Sequence, residues 1–134
     1  MSDPIQLAAD QADFLPLLRT LTEIPAPTGQ EERRAAFCRQ WLEEAGCAGV
    51  YTDSAGNVIY PHRCAGREDA IVIMAHLDTV FPDQTITVRE EGDRLYAPGI
   101  GDDTANLVNL MIAARHLARR EEELTQGVLI VANA

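Results

Sequence analysis

A histidine and an aspartate two positions apart, His76 and Asp78, close the apolar run Ile71-Val72-Ile73-Met74-Ala75, and a second acidic element, Asp102-Asp103, follows the loop Pro98-Gly99-Ile100-Gly101. Imidazole nitrogen and carboxylate oxygen are donors that zinc accepts. Side chains alternate along an extended chain, so His76 and Asp78 share a face, and Asp78 can accept the ring N–H that a metal does not use. If Asp102 meets His76 across the top of a sheet, His76 and Asp102 become candidate metal ligands and Asp78 a candidate catalytic residue that orients the imidazole. A His-x-Asp triplet alone is a common combination, and a histidine at a strand end is more often a hydrogen-bonded core group. The acidic pair supplies the added weight; its simplest competing role is to cap the helix that follows.

Phosphate binding is the main rival for the glycine loop. Gly99-x-Gly101 resembles the start of a dinucleotide fingerprint, but Thr104 stands at the third glycine position and two aspartates would repel a pyrophosphate. The other histidines and the tryptophan invite plainer readings. His116 lies between Arg115 and Leu117 on a helical stretch and reads as solvated, His62 follows Pro61 without an acidic neighbour, and Trp41 falls in an apolar stripe.

The elements that must position these residues follow from periodicity. Phe14, Leu15, Leu17, Leu18 and Leu21 predict a first amphipathic helix that closes before Pro25 and Pro27. Thr28-Gly29-Gln30-Glu31 matches a capping box with Thr28 as N-cap, opening a helix to about Ala45 that buries Ala35 or Ala36, Phe37, Trp41 and Leu42 and stops at Gly46. Val50-Tyr51-Thr52 and Val58-Ile59-Tyr60 flank the turn formers Asp53 to Asn57 and predict a hairpin. A loop from Arg63 to Asp69 leads into the strand of Ile71 to Ala75, which reads as buried on both faces. Thr85-Ile86-Thr87-Val88 and Arg94-Leu95-Tyr96 predict a second hairpin. From Thr104, the stripe Leu107, Leu110, Met111, Ala114 and Leu117 predicts a helix with basic residues at its end, and Gly127 to Ala132 another buried strand. Strand, helical crossover and strand make an α/β fold with a mainly parallel central sheet, mixed because of its hairpin strands.

With 134 residues, 46% of them hydrophobic, there is room for one domain with a core. A net charge of -10 excludes the cationic surface that a nucleic-acid phosphate backbone demands. No run reaches membrane-spanning length, and no basic segment followed by an apolar one marks a signal peptide. Cys38, Cys47 and Cys64 are odd in number, form no CxxC pattern, and predict reduced thiols in a cytoplasmic protein.

Two stretches carry a specific resemblance. Ala75-His76-Leu77-Asp78-Thr79-Val80 and Pro98-Gly99-Ile100-Gly101-Asp102-Asp103-Thr104-Ala105 resemble the N-terminal signatures of the zinc-dependent family that contains acetylornithine deacetylase, succinyl-diaminopimelate desuccinylase, carboxypeptidase G, aminoacylase and tripeptidase. Thr28-Gly29-Gln30-Glu31-Glu32 and Asp53-Ser54-Ala55-Gly56-Asn57-Val58 resemble that family's early helix and hairpin, so the likeness runs from about Phe14 to Val131 in the family's order. It implies a three-layer α/β/α zinc-exopeptidase-like fold, with residues 1–134 as the N-terminal part of a catalytic domain.

Carried over, His76 is a terminal ligand of one of two zinc ions, Asp78 the carboxylate that orients it, and Asp102 the bridge between both, in an Asp102-Asp103 peptide often cis in that family. Cobalt or manganese would suit the same donors. Thr104-Ala105 stand where many members have Lys-Gly. The family's general-base glutamate, its remaining ligands and its dimerisation or lid domain have no counterpart in these residues, so the fold is expected to be incomplete. The implied activity is metal-dependent hydrolysis of an amide or peptide bond in small peptides or N-acyl amino acids, with the 134 residues alone inactive. The alternative is a non-catalytic α/β binding or interaction module. An incomplete sheet would also expose apolar surface and favour self-association.

Overall fold

A computed structural model describes residues 4–120 and 125–134. Its elements are α1 (Pro4–Thr22), α2 (Glu32–Glu44), β1 (Tyr51–Thr52), β2 (Val58–His62), β3 (Ala70–His76), β4 (Arg89–Glu91), β5 (Arg94–Tyr96), α3 (Ala105–Ala118) and β6 (Gly127–Asn133). The predicted elements are present except the strand expected over Thr85 to Val88, and α1 begins further upstream than its apolar stripe indicated. Helix α2 ends where glycine was expected to end it, with Gly46 at a φ of +89°.

One sheet has the order β1-β2-β6-β3. β6 lies in its centre, parallel to β3 from Ala70 against Gly127 to His76 against Asn133, and antiparallel to β2. The mixed sheet is as expected, but among the described residues its parallel part is the single β3–β6 junction. Alternation along the strands sorts their side chains. Val58 and Tyr60 of β2, Val128, Ile130 and Ala132 of β6 and Ala75 of β3 join one core with Leu17, Leu21, Cys38, Leu42, Leu107, Val108 and Met111 from the three helices. Each such aliphatic side chain, fully buried, contributes about 1.5–3 kcal/mol. Ile59, Leu129, Val131, Val72 and Met74 belong to the opposite face, where the core cluster has no members. Among the described residues the fold therefore supplies two of the three expected layers.

That arrangement corrects the expected burial of the strand before His76. β3 is an edge strand, and Val72 and Met74 are 53% and 59% exposed. Its apolar composition is that of a strand made to be covered, and the helices described here cover only its C-terminal end, at Ala75. The second hairpin is also displaced. Arg89–Glu91 rather than Thr85 to Val88 pairs with Arg94–Tyr96. Ile86 and Val88 are buried, but the Val88 N–H donates to the Glu23 carboxylate at 3.2 Å instead of to a strand.

Two polar groupings join the helices. Arg115, one of the basic residues near the end of α3, is buried against α1, where its guanidinium donates to Asp13 at 2.7 Å and to Asp10 and lies 5.3 Å from the centre of the Trp41 ring. His116 is half-buried with its Nδ1 3.5 Å from Asp10, which corrects its solvated reading. The three cysteines are free thiols. Burial pushes the thiol of Cys38 up to about 12 and that of Cys47 to about 11, so both act as small apolar side chains.

The second grouping is Arg34, fully buried in α2. Its Nε and Nη2 donate to the Ile24 carbonyl at 3.1 and 2.7 Å, and its Nη1 donates to the Leu77 carbonyl at 2.9 Å and to Thr104 Oγ1 at 3.3 Å. Burial pulls its pKa below the ordinary guanidinium value, opposed by the nearby Cys38 and Asp78. Removing it strands acceptors on three chain segments. Arg34→Met is expected to lower unfolding free energy by about 3 kcal/mol in urea titrations, with Arg34→Lys falling between it and the parent.

Candidate metal site at the end of the edge strand

The parallel ladder carries β3 to His76 and stops, and the next residues leave the sheet in a fixed direction. Leu77 N–H donates to the Asn133 carbonyl at 2.7 Å, and Thr79 N–H to the Ala26 carbonyl at 2.8 Å. Pro27 and Thr79 form a parallel bridge, so the segment before α2 lies against the segment after β3.

The acidic loop comes to this place from the other side. Gly99 has a φ of +73°, and a Cβ there would collide with the side chain of Thr79, so only glycine allows the approach. Ile100–Thr104 form a wide helical turn in which Asp102 and Asp103 leave helical geometry and share a cis peptide bond. Buried Thr104 donates its hydroxyl to the Gly99 carbonyl at 2.8 Å and accepts from Arg34, which closes the loop from beneath. Thr104, the departure from the Lys-Gly pattern, is thus a packing residue.

His76, Asp78 and Asp102 are brought together as their spacing suggested. His76 Nε2 lies 3.1 Å from Asp102 Oδ1, while Nδ1 lies 3.0 Å from Asp78 Oδ1 and 2.9 Å from the Asp78 carbonyl. Two oxygen acceptors at Nδ1 favour a proton there, and Nε2 faces the Asp102 carboxylate. Asp78 is 22% exposed at its side chain and Asp102 80%, so the pair opens outward from a held base. The donors fit a cation: ligands on a tetrahedral zinc stand roughly 3.3 Å apart, close to the 3.1 Å observed between Nε2 and Oδ1. Among the described residues, no group of three or more His, Cys, Asp or Glu side chains converges as a complete metal site.

Two contributors were missed in the sequence. Asp103 does not share the role of Asp102: its Oδ2 accepts from the His76 backbone N–H at 3.1 Å and its Oδ1 from Asn106 at 2.6 Å, tying the head of α3 to the end of β3. Asn106, three residues on, was the available signal. Thr28 is not the N-cap of α2; the helix starts at Glu32 after Glu31, and the Thr28 hydroxyl donates to Asp78 Oδ2 at 2.5 Å. The capping box fails because Glu31 turns to the Gly29 N–H, at 2.5 Å.

Burial pulls the His76 pKa down, but the hydrogen bond to Asp102, the Asp78 carbonyl and the charges of Asp103 and Asp78 outweigh it, so the net shift is upward from 6.5. A raised value means that the charged His76–Asp102 contact stabilises the fold fully below 6.5 and ceases to do so as pH rises through the shifted value. In a metal-free NMR titration His76 is expected to titrate above 6.5, and Asp102→Asn to bring it down; a value unmoved by that substitution would contradict the contact.

Comparison with known proteins gives this geometry its setting. A putative [LysW]-lysine/[LysW]-ornithine hydrolase of Pyrococcus abyssi is 41% identical over 96 residues, which are 72% of this chain and 27% of that protein. The aminopeptidase PepT of Bacillus cereus superposes with a TM-score of 0.70 at 20% identity over 91% of this chain and 36% of its own. The YXEP protein of Bacillus subtilis, a dinuclear metal-binding peptidase of the M20 family, superposes with a TM-score of 0.60 at 23% identity over 93% of this chain and 35% of its own. These two likenesses establish the zinc-exopeptidase type of fold that the signatures around His76 and Asp102 implied. The chain thus spans about a quarter to a third of the proteins that it matches. Peptidase family M28 matches residues 57–134, a stretch that contains His76, Asp78 and Asp102 and exceeds half of the sequence, and the chain belongs to that family.

Proposed function

We propose that residues 1–134 are the N-terminal part of a catalytic domain for metal-dependent hydrolysis of an amide or peptide bond, in which His76 and Asp102 are metal ligands and Asp78 orients His76. One observation carries the reading: an imidazole locked at Nδ1 presents Nε2 to an exposed carboxylate 3.1 Å away. A bound cation there would polarise a carbonyl and lower the pKa of a water. Zinc is the first choice for a mixed imidazole and carboxylate set, with cobalt or manganese as alternatives. The dinuclear metal binding named for the Bacillus subtilis protein is in keeping with a second ion, which the exposed carboxylate of Asp102 would help to hold.

This chain's own work is positional. Asp78 holds the ring and Asp103 holds the strand end beneath it, while the exposed side of Asp102 stays available to a cation. Substrates would be small peptides or N-acyl amino acids, in keeping with relatives named as a [LysW]-lysine/[LysW]-ornithine hydrolase and an aminopeptidase. Among the described residues no helix is long and apolar enough to cross a membrane. Free buried thiols support a cytoplasmic setting, and the exposed edge of β3 supports self-association.

Two protein donors leave most coordination positions to water. The 134 residues are therefore expected to bind zinc weakly in calorimetry, to lose that binding in His76→Ala, and to show negligible hydrolysis of dipeptides or N-acetyl amino acids. Affinity equal to that of a closed protein site, or peptidase activity abolished by His76→Ala, would contradict this reading.

A further inference from the structure

We propose that Thr28 is a positioning residue for His76, acting through Asp78; the proposal rests on the metal-site reading above. Asp78 has two carboxylate oxygens. Oδ2 accepts the Thr28 hydroxyl at 2.5 Å and Oδ1 faces His76 Nδ1 at 3.0 Å, so three residues form one line from α2's leading segment to the presented Nε2. The hydroxyl has a second acceptor in reach, the Thr79 carbonyl at 3.4 Å, but the short bond to an ionised oxygen is the stronger of the two.

Thr28 is itself held. Its N–H donates to the Thr79 carbonyl at 3.2 Å, Thr79 N–H donates to Ala26, and the Gln30 N–H closes a turn on the Pro27 carbonyl at 2.8 Å. Upstream, Arg34 grips the Ile24 carbonyl with two donors. The hydroxyl therefore reaches Asp78 from a backbone fixed on both sides. A carboxylate turns about a broad terminal torsion and has no preferred plane of its own. The hydroxyl gives it one, and with it the direction in which Oδ1 meets the ring.

Without that bond, Asp78 is free to turn away, and Nδ1 keeps the Asp78 main-chain carbonyl alone, at 2.9 Å. The ring then loses a charged acceptor that makes it a better donor to a cation and fixes its plane. Thr28 is exposed and contributes nothing to the core, so its substitution separates positioning from folding.

The test compares the unsubstituted chain with Thr28→Val, which keeps the shape and removes the hydroxyl, and Thr28→Ser, which restores it. Zinc chloride titrations are followed at the His76 ring by nitrogen NMR, and the metal-free ring spectrum reports which nitrogen carries the proton. Thr28→Val is expected to weaken zinc binding about tenfold and to mix the two ring tautomers, with thermal unfolding unchanged, and Thr28→Ser to recover both readouts. Zinc binding at His76 in the unsubstituted chain with both readouts unchanged in Thr28→Val would overturn the role of Thr28 alone. No zinc at His76 in the unsubstituted chain would overturn the metal-site reading and the positioning role with it.

Discussion

A buried guanidinium holds the three segments from which the candidate site is made. Arg34 bonds the Ile24 carbonyl before the Thr28 turn, the Leu77 carbonyl between His76 and Asp78, and the Thr104 hydroxyl just after Asp102-Asp103. Each acceptor lies within a few residues of a group that faces the opening. A cation buried in this way is costly unless its donors are met, and here Nε, Nη1 and Nη2 are all used on groups with fixed positions. The same demand fixes the geometry: displacing any one segment leaves either the guanidinium or a main-chain oxygen without its partner.

Around that centre the secondary structure supplies direction. The parallel register of β3 on β6 ends at His76 against Asn133, which sets where the strand delivers its imidazole. Gly99 lets the acidic loop close on Thr79, and Thr79 in turn carries the bridge to Pro27. The site is thus a meeting of strand end, loop and pre-helical turn, in which a short list of main-chain bonds does the placing. Asp102 and Asp103, adjacent in sequence, divide into an outward carboxylate beside Nε2 and an inward one on the His76 N–H.

Much of this was legible because local signals agreed with tertiary packing. The 3.6-residue stripe of α3, the glycine stop of α2 and the turn formers between β1 and β2 all describe what the chain does, and the pairing of His76 with Asp102 followed from a strand end and a glycine loop. What was hidden depends on partners distant in sequence. Arg34 looks like one of several charges on a helix, yet its neighbours at positions 24, 77 and 104 make it core. Thr28 has the sequence of an N-cap but is drawn to a carboxylate fifty residues away. The apolar run of β3 correctly marks a strand; its place at the sheet edge depends on which other strands are there to pair with it, and no local pattern specifies that.

The central claim is that His76 and Asp102 share one cation, with Asp78 behind the ring. Anomalous diffraction at the zinc edge from crystals grown with zinc tests it most directly. The account predicts a peak about 2.0–2.2 Å from both His76 Nε2 and Asp102 Oδ1, with Nδ1 still on Asp78. Zinc found only at cysteine sulfur or at scattered surface carboxylates, with His76 Nε2 unligated, would contradict it.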